Sequence, residues 1–210
     1  MKKLIVFTFL LFGLEAFAAG NEVGNGGDVV ICTASDGNKT YTILDYYERK
    51  EDQFKIEEFD IEDEYQVALK AINKLEKIAP RLHEKYTRDL KNFRLKVKFK
   101  KGQEFRDIKD SFHVSVGKNC EIKQVAHQRK NMLSKDTEVF MNKDLYEKLS
   151  TFQKGMLITH EIIYEHFIYF GEVTSKKVRL FNRYLYSEDI KSHKSRDFNK
   201  IGESLGIPLY

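Results

Sequence analysis

The segment Met156-Leu157-Ile158-Thr159-His160-Glu161-Ile162-Ile163-Tyr164-Glu165-His166-Phe167-Ile168 is apolar almost all the way round a helix, yet it carries two histidines and two glutamates. A helix with no polar face belongs inside a fold rather than on it. Imidazole and carboxylate groups in such a place are costly unless something pairs with them. The chain must therefore enclose this helix and also supply partners for it. At 210 residues, with 41% hydrophobic and 13% aromatic content, it can build the core this needs. The same composition excludes a disordered tail, a coiled-coil rod and a collagen-like chain. Two prolines and no tryptophan speak against a Pro-rich linker or a Trp-lined sugar groove. A formal charge of only +4 speaks against a dedicated nucleic-acid binder.

Two readings compete for the partners. The first is a metal-hydrolase helix, because a zincin-type His-Glu-x-x-His puts two imidazoles one turn apart with Glu beside a zinc-bound water. His160-Glu161 fits the first half, but Tyr164 stands at the second ligand position. His166 lies about 120° around the helix from His160, given roughly 100° per residue. The inverted His-x-x-Glu-His pattern fails at Ile162. A zinc site would have to combine His160, Tyr164 or Glu165 with a distant His113, His127, Glu188 or His193. His160 would then be the ligand, Glu161 the general base, and Tyr164 a ligand or oxyanion donor. The second reading is a structural clasp, in which Arg179 or Arg183 of the following helix pairs with Glu161 or Glu165, and Asn182 bonds His160 or Tyr164. This clasp is the favoured expectation, and a metal-free functional pocket made of the same residues is a third. A Gly-x-Ser-x-Gly elbow is missing, and Gly24-Asn25-Gly26-Gly27 lacks the Lys-Ser/Thr of a phosphate loop.

The N-terminus reads as a secretory signal. Lys2 and Lys3 precede the apolar run Leu4–Phe12, and Ala16-Phe17-Ala18 offers small residues for cleavage before Ala19. The run is too short to span a bilayer, and no later segment is long and apolar enough to do so. Removing residues 1–18 takes away Lys2, Lys3 and Glu15 and lowers the formal charge from +4 to +3. In an exported chain the only two cysteines, Cys32 and Cys120, are expected to form a disulfide. Lys96-Val97-Lys98-Phe99-Lys100-Lys101 is a basic patch that can attract anionic envelope polymers. Its plainer reading is an edge strand guarded by lysines.

The rest of the chain reads as one α+β domain over residues 19–210, a small antiparallel sheet packed with helices and a helical C-terminal third. Val29–Cys32 and Thr40–Leu44 flank an Asp36-Gly37 turn as a hairpin. Helical spacing begins at Tyr65, and Pro80 ends one helix or opens the next. The alternation in Phe93–Lys100 predicts a half-buried strand. Phe112–Val116, Glu121–Val125 and Thr137–Met141 read as further strands. A short helix follows Asn142, a long one spans Thr151 to Tyr169, Ser175 can cap another, and the tail Ser187–Ser204 can hold one more.

Three fragments, Gly26-Gly27-Asp28-Val29-Val30-Ile31-Cys32, Leu44-Asp45-Tyr46-Tyr47-Glu48, and His160-Glu161-Ile162-Ile163-Tyr164 with Val178-Arg179-Leu180-Phe181-Asn182, carry a resemblance. Together they resemble a family of small exported proteins from predatory bacteria that has no established activity. The resemblance implies an exported, envelope-facing protein in which the His-Glu and Val-Arg helices form one unit. Family members carry an acidic residue near the place of His166, which weakens His166 as a ligand. The expected function is thus a periplasmic or secreted, non-catalytic protein that binds a protein or an envelope polymer, not nucleic acid, and does not span the membrane. The alternative is a divergent zinc hydrolase acting on peptide or cell-wall material.

Overall fold

A computed structural model describes residues 22–25, 27–51, 54–105, 114–130, 137–172 and 174–206. The expected signal peptide, residues 1–18, lies outside the described residues, as do Phe112 and His113 of one expected strand. The fold is α+β. Its strands form two small sheets, packed with helices as expected. In the first, β2 (Asp28–Thr33) lies between β3 (Lys39–Ile43) and β5 (Cys120–Gln124), all antiparallel. In the second, β1 (Glu22–Asn25), β6 (Ala126–Lys130), β7 (Thr137–Asn142) and β4 (Val97–Lys100) follow in that order, with β4 and β7 parallel. Cys32 stands opposite Cys120 in the β2–β5 register, and the two form a disulfide.

The helices are α1 (Leu44–Tyr47), α2 (Glu64–Asn73), α3 (Pro80–Lys96), α4 (Lys143–Tyr146), α5 (Thr151–Tyr169), α6 (Lys176–Tyr186) and α7 (Ser195–Leu205). Short polar side chains start several of them by taking orphan N–H groups. Asp63 accepts from Tyr65 and Gln66, Asn142 from Leu145, and Ser150 from Gln153. Ser175 stands at the start of α6 as expected, but its hydroxyl makes no cap. It accepts from the Arg179 guanidinium instead.

The strand expected at Phe93–Lys100 begins only at Val97. Phe93 extends the buried stripe of Leu82, Tyr86 and Leu90, so the helical period wins over the local alternation. Leu95 consequently lands on the water side of α3. Val114–Val116 likewise forms no strand.

Helix α5 is the centre of the molecule, with α2, α3 and α6 packed around it. The approach of α2 is close: a side chain at Gly155 would meet Val67 Cγ1 at 2.3 Å. Helices α5 and α6 form the expected buried hairpin, with the Phe167 and Phe181 rings 6.0 Å apart and Asn182 Nδ2 donating to the Met156 carbonyl.

Candidate functional site

His160 is 1% exposed and Glu161 fully buried, so the sequence's demand for partners is real. The partners are not the ones expected. His160 Nδ1 donates to both carboxylate oxygens of Asp45, at 2.9 and 3.1 Å. Glu161 accepts the Gly27 N–H at Oε1 (2.7 Å) and the Gln128 amide at Oε2 (2.9 Å). Gln128 also donates to the Glu161 backbone carbonyl. Neither arginine of α6 is its partner.

Those arginines converge on Glu48 instead. Arg179 Nε and Arg183 Nη1 donate to the same oxygen, Oε2, at 3.0 and 2.6 Å. Glu165 is a separate and more open pair with Lys96 at 2.8 Å. Asn182 bonds Asp45 Oδ1 at 2.6 Å rather than His160 or Tyr164. The expected clasp pairs are therefore not formed, and a third element, the α1 turn, supplies the acids instead. Asp45 and Glu48 are three residues apart at the α1 turn, so one face of that turn sends Asp45 to His160 of α5 and Asn182 of α6, and Glu48 to the arginines of α6.

Gly27 explains the glycine-rich entry. Its carbonyl accepts from Val125 and Ala126 while its N–H reaches Glu161. A Cβ here would lie 2.2 Å from Leu157 Cδ1, so any larger residue would require Leu157 to move or the backbone to back away from α5.

The electrostatics follow from this packing. Burial works against a charged imidazole at His160, but the Asp45 carboxylate and its hydrogen bond outweigh it, with Glu161 adding, and hold the proton on more tightly than usual. For Asp45, burial is again the largest opposing influence. His160, Asn182 and Arg179 overcome it and keep the carboxyl below its ordinary range. At Glu161 burial prevails over His160, Gln128 and Gly27, and raises the carboxyl. His166 differs from all of these. It faces Tyr86 of α3, Nδ1 to OH 2.8 Å, and burial helped by Lys85 pushes it down to about 4.

These directions fix a pH dependence. A raised imidazole contributes stability below its ordinary 6.5 and loses it as pH climbs through the folded value. A raised carboxyl at Glu161 likewise costs stability once pH exceeds its ordinary 4.5. A depressed Asp45 contributes above its ordinary 3.8, and that contribution is lost in stronger acid. The melting temperature should therefore be highest in mild acid and fall from pH 6 to pH 9, with a shallower fall in His160→Gln. Calorimetry at constant ionic strength that finds it rising over this window would contradict the assignment.

As a metal centre the site lacks a full ligand set among the described residues. His160 Nε2 has no hydrogen-bond partner among the described residues, and an Asp-oriented imidazole is how many metal-binding histidines are held. Yet no group of three or more His, Cys, Asp or Glu that could hold a metal occurs among the described residues. Of the distant candidates, Glu188 pairs with Lys55, His193 bonds the Tyr184 hydroxyl, and His127 stacks on Phe140. Tyr164 is buried with its ring 6.1 Å from that of His160.

Access is a further matter. Four cavities lined by described residues hold about 210–430 Å³, and these four are lined by residues other than His160, Glu161 and Tyr164. The one of about 430 Å³ is bordered by Ile31, Phe105, Lys123, Asp144 and Leu145. Periodicity identified α5 and α6, but Asp45, Glu48, Gln128 and Gly27 were missed as members of the cluster. The spacing of Asp45 and Glu48 was the one available signal. Comparison with family models, curated proteins and solved structures finds no match.

Proposed function

We propose that this chain is an exported, non-catalytic binding protein whose buried His-Glu helix serves the fold rather than a reaction. The observation that carries this reading is the closure of the cluster. His160 and Glu161 are buried to 1% or less, are held by Asp45, Gly27 and Gln128, and line none of the four cavities described above. A general base needs to reach a substrate proton, and neither group has a described route to one.

Export is supported by the N-terminal signal pattern and by a disulfide of the kind that persists in oxidising compartments. No helix among the described residues is long and apolar enough to cross a membrane. The zinc-hydrolase alternative has one observation in its favour, the unpartnered Nε2 of His160.

One experiment separates the two readings. Protein recovered from the periplasm or medium of cells expressing the full chain is sequenced from its N-terminus, assayed for zinc, and melted beside His160→Ala. The expected result is a chain starting at Ala19, without stoichiometric zinc, whose variant melts several degrees lower. About one zinc per chain that disappears in His160→Ala would overturn the non-catalytic reading. An intact Met1 would overturn export.

A further inference from the structure

A cavity of about 370 Å³ is bordered by Cys32 and by the hairpin strand beside it. Thr40 stands opposite Cys32 and Thr42 opposite Val30, so both threonines share the sheet face that carries the disulfide. The facing wall comes from the end of α1 and the 3-10 turn after it, with Tyr47, Arg49 and Lys50, and from Ser115. The hydroxyls of Thr40, Thr42, Tyr47 and Ser115 have no hydrogen-bond partner among the described residues. Arg49 and Lys50 have no ion-pair partner among them either. Glu51 is the single carboxylate at this wall, so positive charge is left in excess.

The other three cavities differ in this respect. Lys123, Lys177, Lys74 and Lys191, which line them, each have a carboxylate at 2.7–3.7 Å. A concave site where two cations and several hydroxyls converge is complementary to an oxyanion.

We propose that this cavity binds a phosphate group carried on a small hydroxyl-bearing body such as glycerol or a sugar. Arg49 is already held for the task. Its Nη1 donates to the Tyr46 carbonyl at 2.8 Å, and its guanidinium lies 3.7 Å from the centre of the Tyr46 ring. The remaining donors of the planar fork are left for phosphate oxygens. Lys50 adds a point charge. The four hydroxyls, each both donor and acceptor, match the hydroxyls of the ligand body. Bare phosphate would leave much of the 370 Å³ unfilled, and an apolar ligand would strip water from the hydroxyls without replacing it. The inference rests on the reading of this chain as an exported binding protein and supplies its ligand class.

The test is titration calorimetry of the exported chain with glycerol 3-phosphate, inorganic phosphate and glycerol. Glycerol 3-phosphate is expected to bind more tightly than inorganic phosphate, and glycerol to give no heat. Lys50→Gln should weaken binding about tenfold, the loss of one charge-assisted bond, and Arg49→Gln at least as much. Glu51→Gln should tighten it several-fold by removing the opposing charge. Arg49→Gln also frees the Tyr46 carbonyl, so Lys50→Gln and Glu51→Gln, expected to melt with the parent, keep the result readable. Sedimentation with phosphatidylglycerol vesicles separates the sources of the phosphate. Retention that is lost in Lys50→Gln assigns it to a lipid headgroup, and glycerol 3-phosphate binding without retention assigns it to a molecule free of the membrane. If neither phosphate probe nor the vesicles bind, or if Lys50→Gln and Arg49→Gln bind as the parent does, the proposal falls. The N-terminal sequence and the zinc and melting results for His160→Ala do not depend on this cavity, so the ligand can fail while the exported, non-catalytic reading stands.

Discussion

Glu48→Ala should destabilise the protein by about 3–5 kcal/mol, the usual loss when one member of a buried ion pair is removed. The magnitude follows from what remains. Arg179 and Arg183 both donate to one Glu48 oxygen, and both are buried. Without the carboxylate, two guanidinium groups face each other deep in the protein with their shared counter-charge gone. For a chain of this size the melting temperature should drop by about 6–20 °C. Glu165→Ala is the matched control, because its partner Lys96 and Glu165 itself are each about a quarter exposed. Its effect should stay within about 1 kcal/mol. A stronger form of the test replaces all three charges, Glu48→Leu with Arg179→Met and Arg183→Leu. If the loss comes from uncompensated charge rather than lost shape, this triple variant should recover much of it. Denaturant titrations giving Glu48→Ala less than about 1 kcal/mol would show that the arginines find other partners.

That prediction could not have been written from the sequence, and the reason is physical. The need for a partner was legible because α5 is apolar on every side, and a period of 3.6 residues is a local property. The identity of the partner is a property of the fold. Asp45 is 115 residues from His160, and Glu48 is 131 and 135 residues from its two arginines. Locally, Asp45 and Glu48 stand at the start of an acidic stretch from Glu48 to Glu64 with nothing beside them in sequence to mark an inward face. Only the α1 turn between β3 and the following 3-10 turn aims them inward. The basic helix α6 was therefore placed correctly and given the wrong acids.

Strands β1 and β6 were hidden for another reason. Ala126-His127-Gln128-Arg129-Lys130 has no apolar alternation to betray it, although Ala126 and Gln128 both point into the core. At Phe93–Lys100 the opposite happened, since an alternating pattern was present and a helix took half of it. The disulfide alone was a long-range contact that the sequence could supply, because two cysteines in an exported chain leave one pairing.

That disulfide should be worth as much as the buried glutamate. Cys32 and Cys120 are 88 residues apart, and the chain-entropy treatment gives roughly 4–5 kcal/mol for closing a loop of this length. Cys32→Ser/Cys120→Ser is thus expected to melt about 8–20 °C lower than the oxidised parent. A reducing agent should lower the parent to match and leave the double variant unmoved. The position of the bond adds a specific expectation. It fastens β2 to β5, while β2 pairs with β3, which leads directly into α1 with Asp45 and Glu48. The hairpin bearing both inward-facing carboxylates is therefore anchored at one end by the disulfide and at the other by the polar cluster. Loosening the first anchor should show in the second, as faster amide exchange at Asp45 and Glu48 than at the centre of α5. Equal protection at those sites in the oxidised and disulfide-free proteins, together with a loss below about 1 kcal/mol, would mean that strand pairing and the cluster hold the hairpin without the covalent bond.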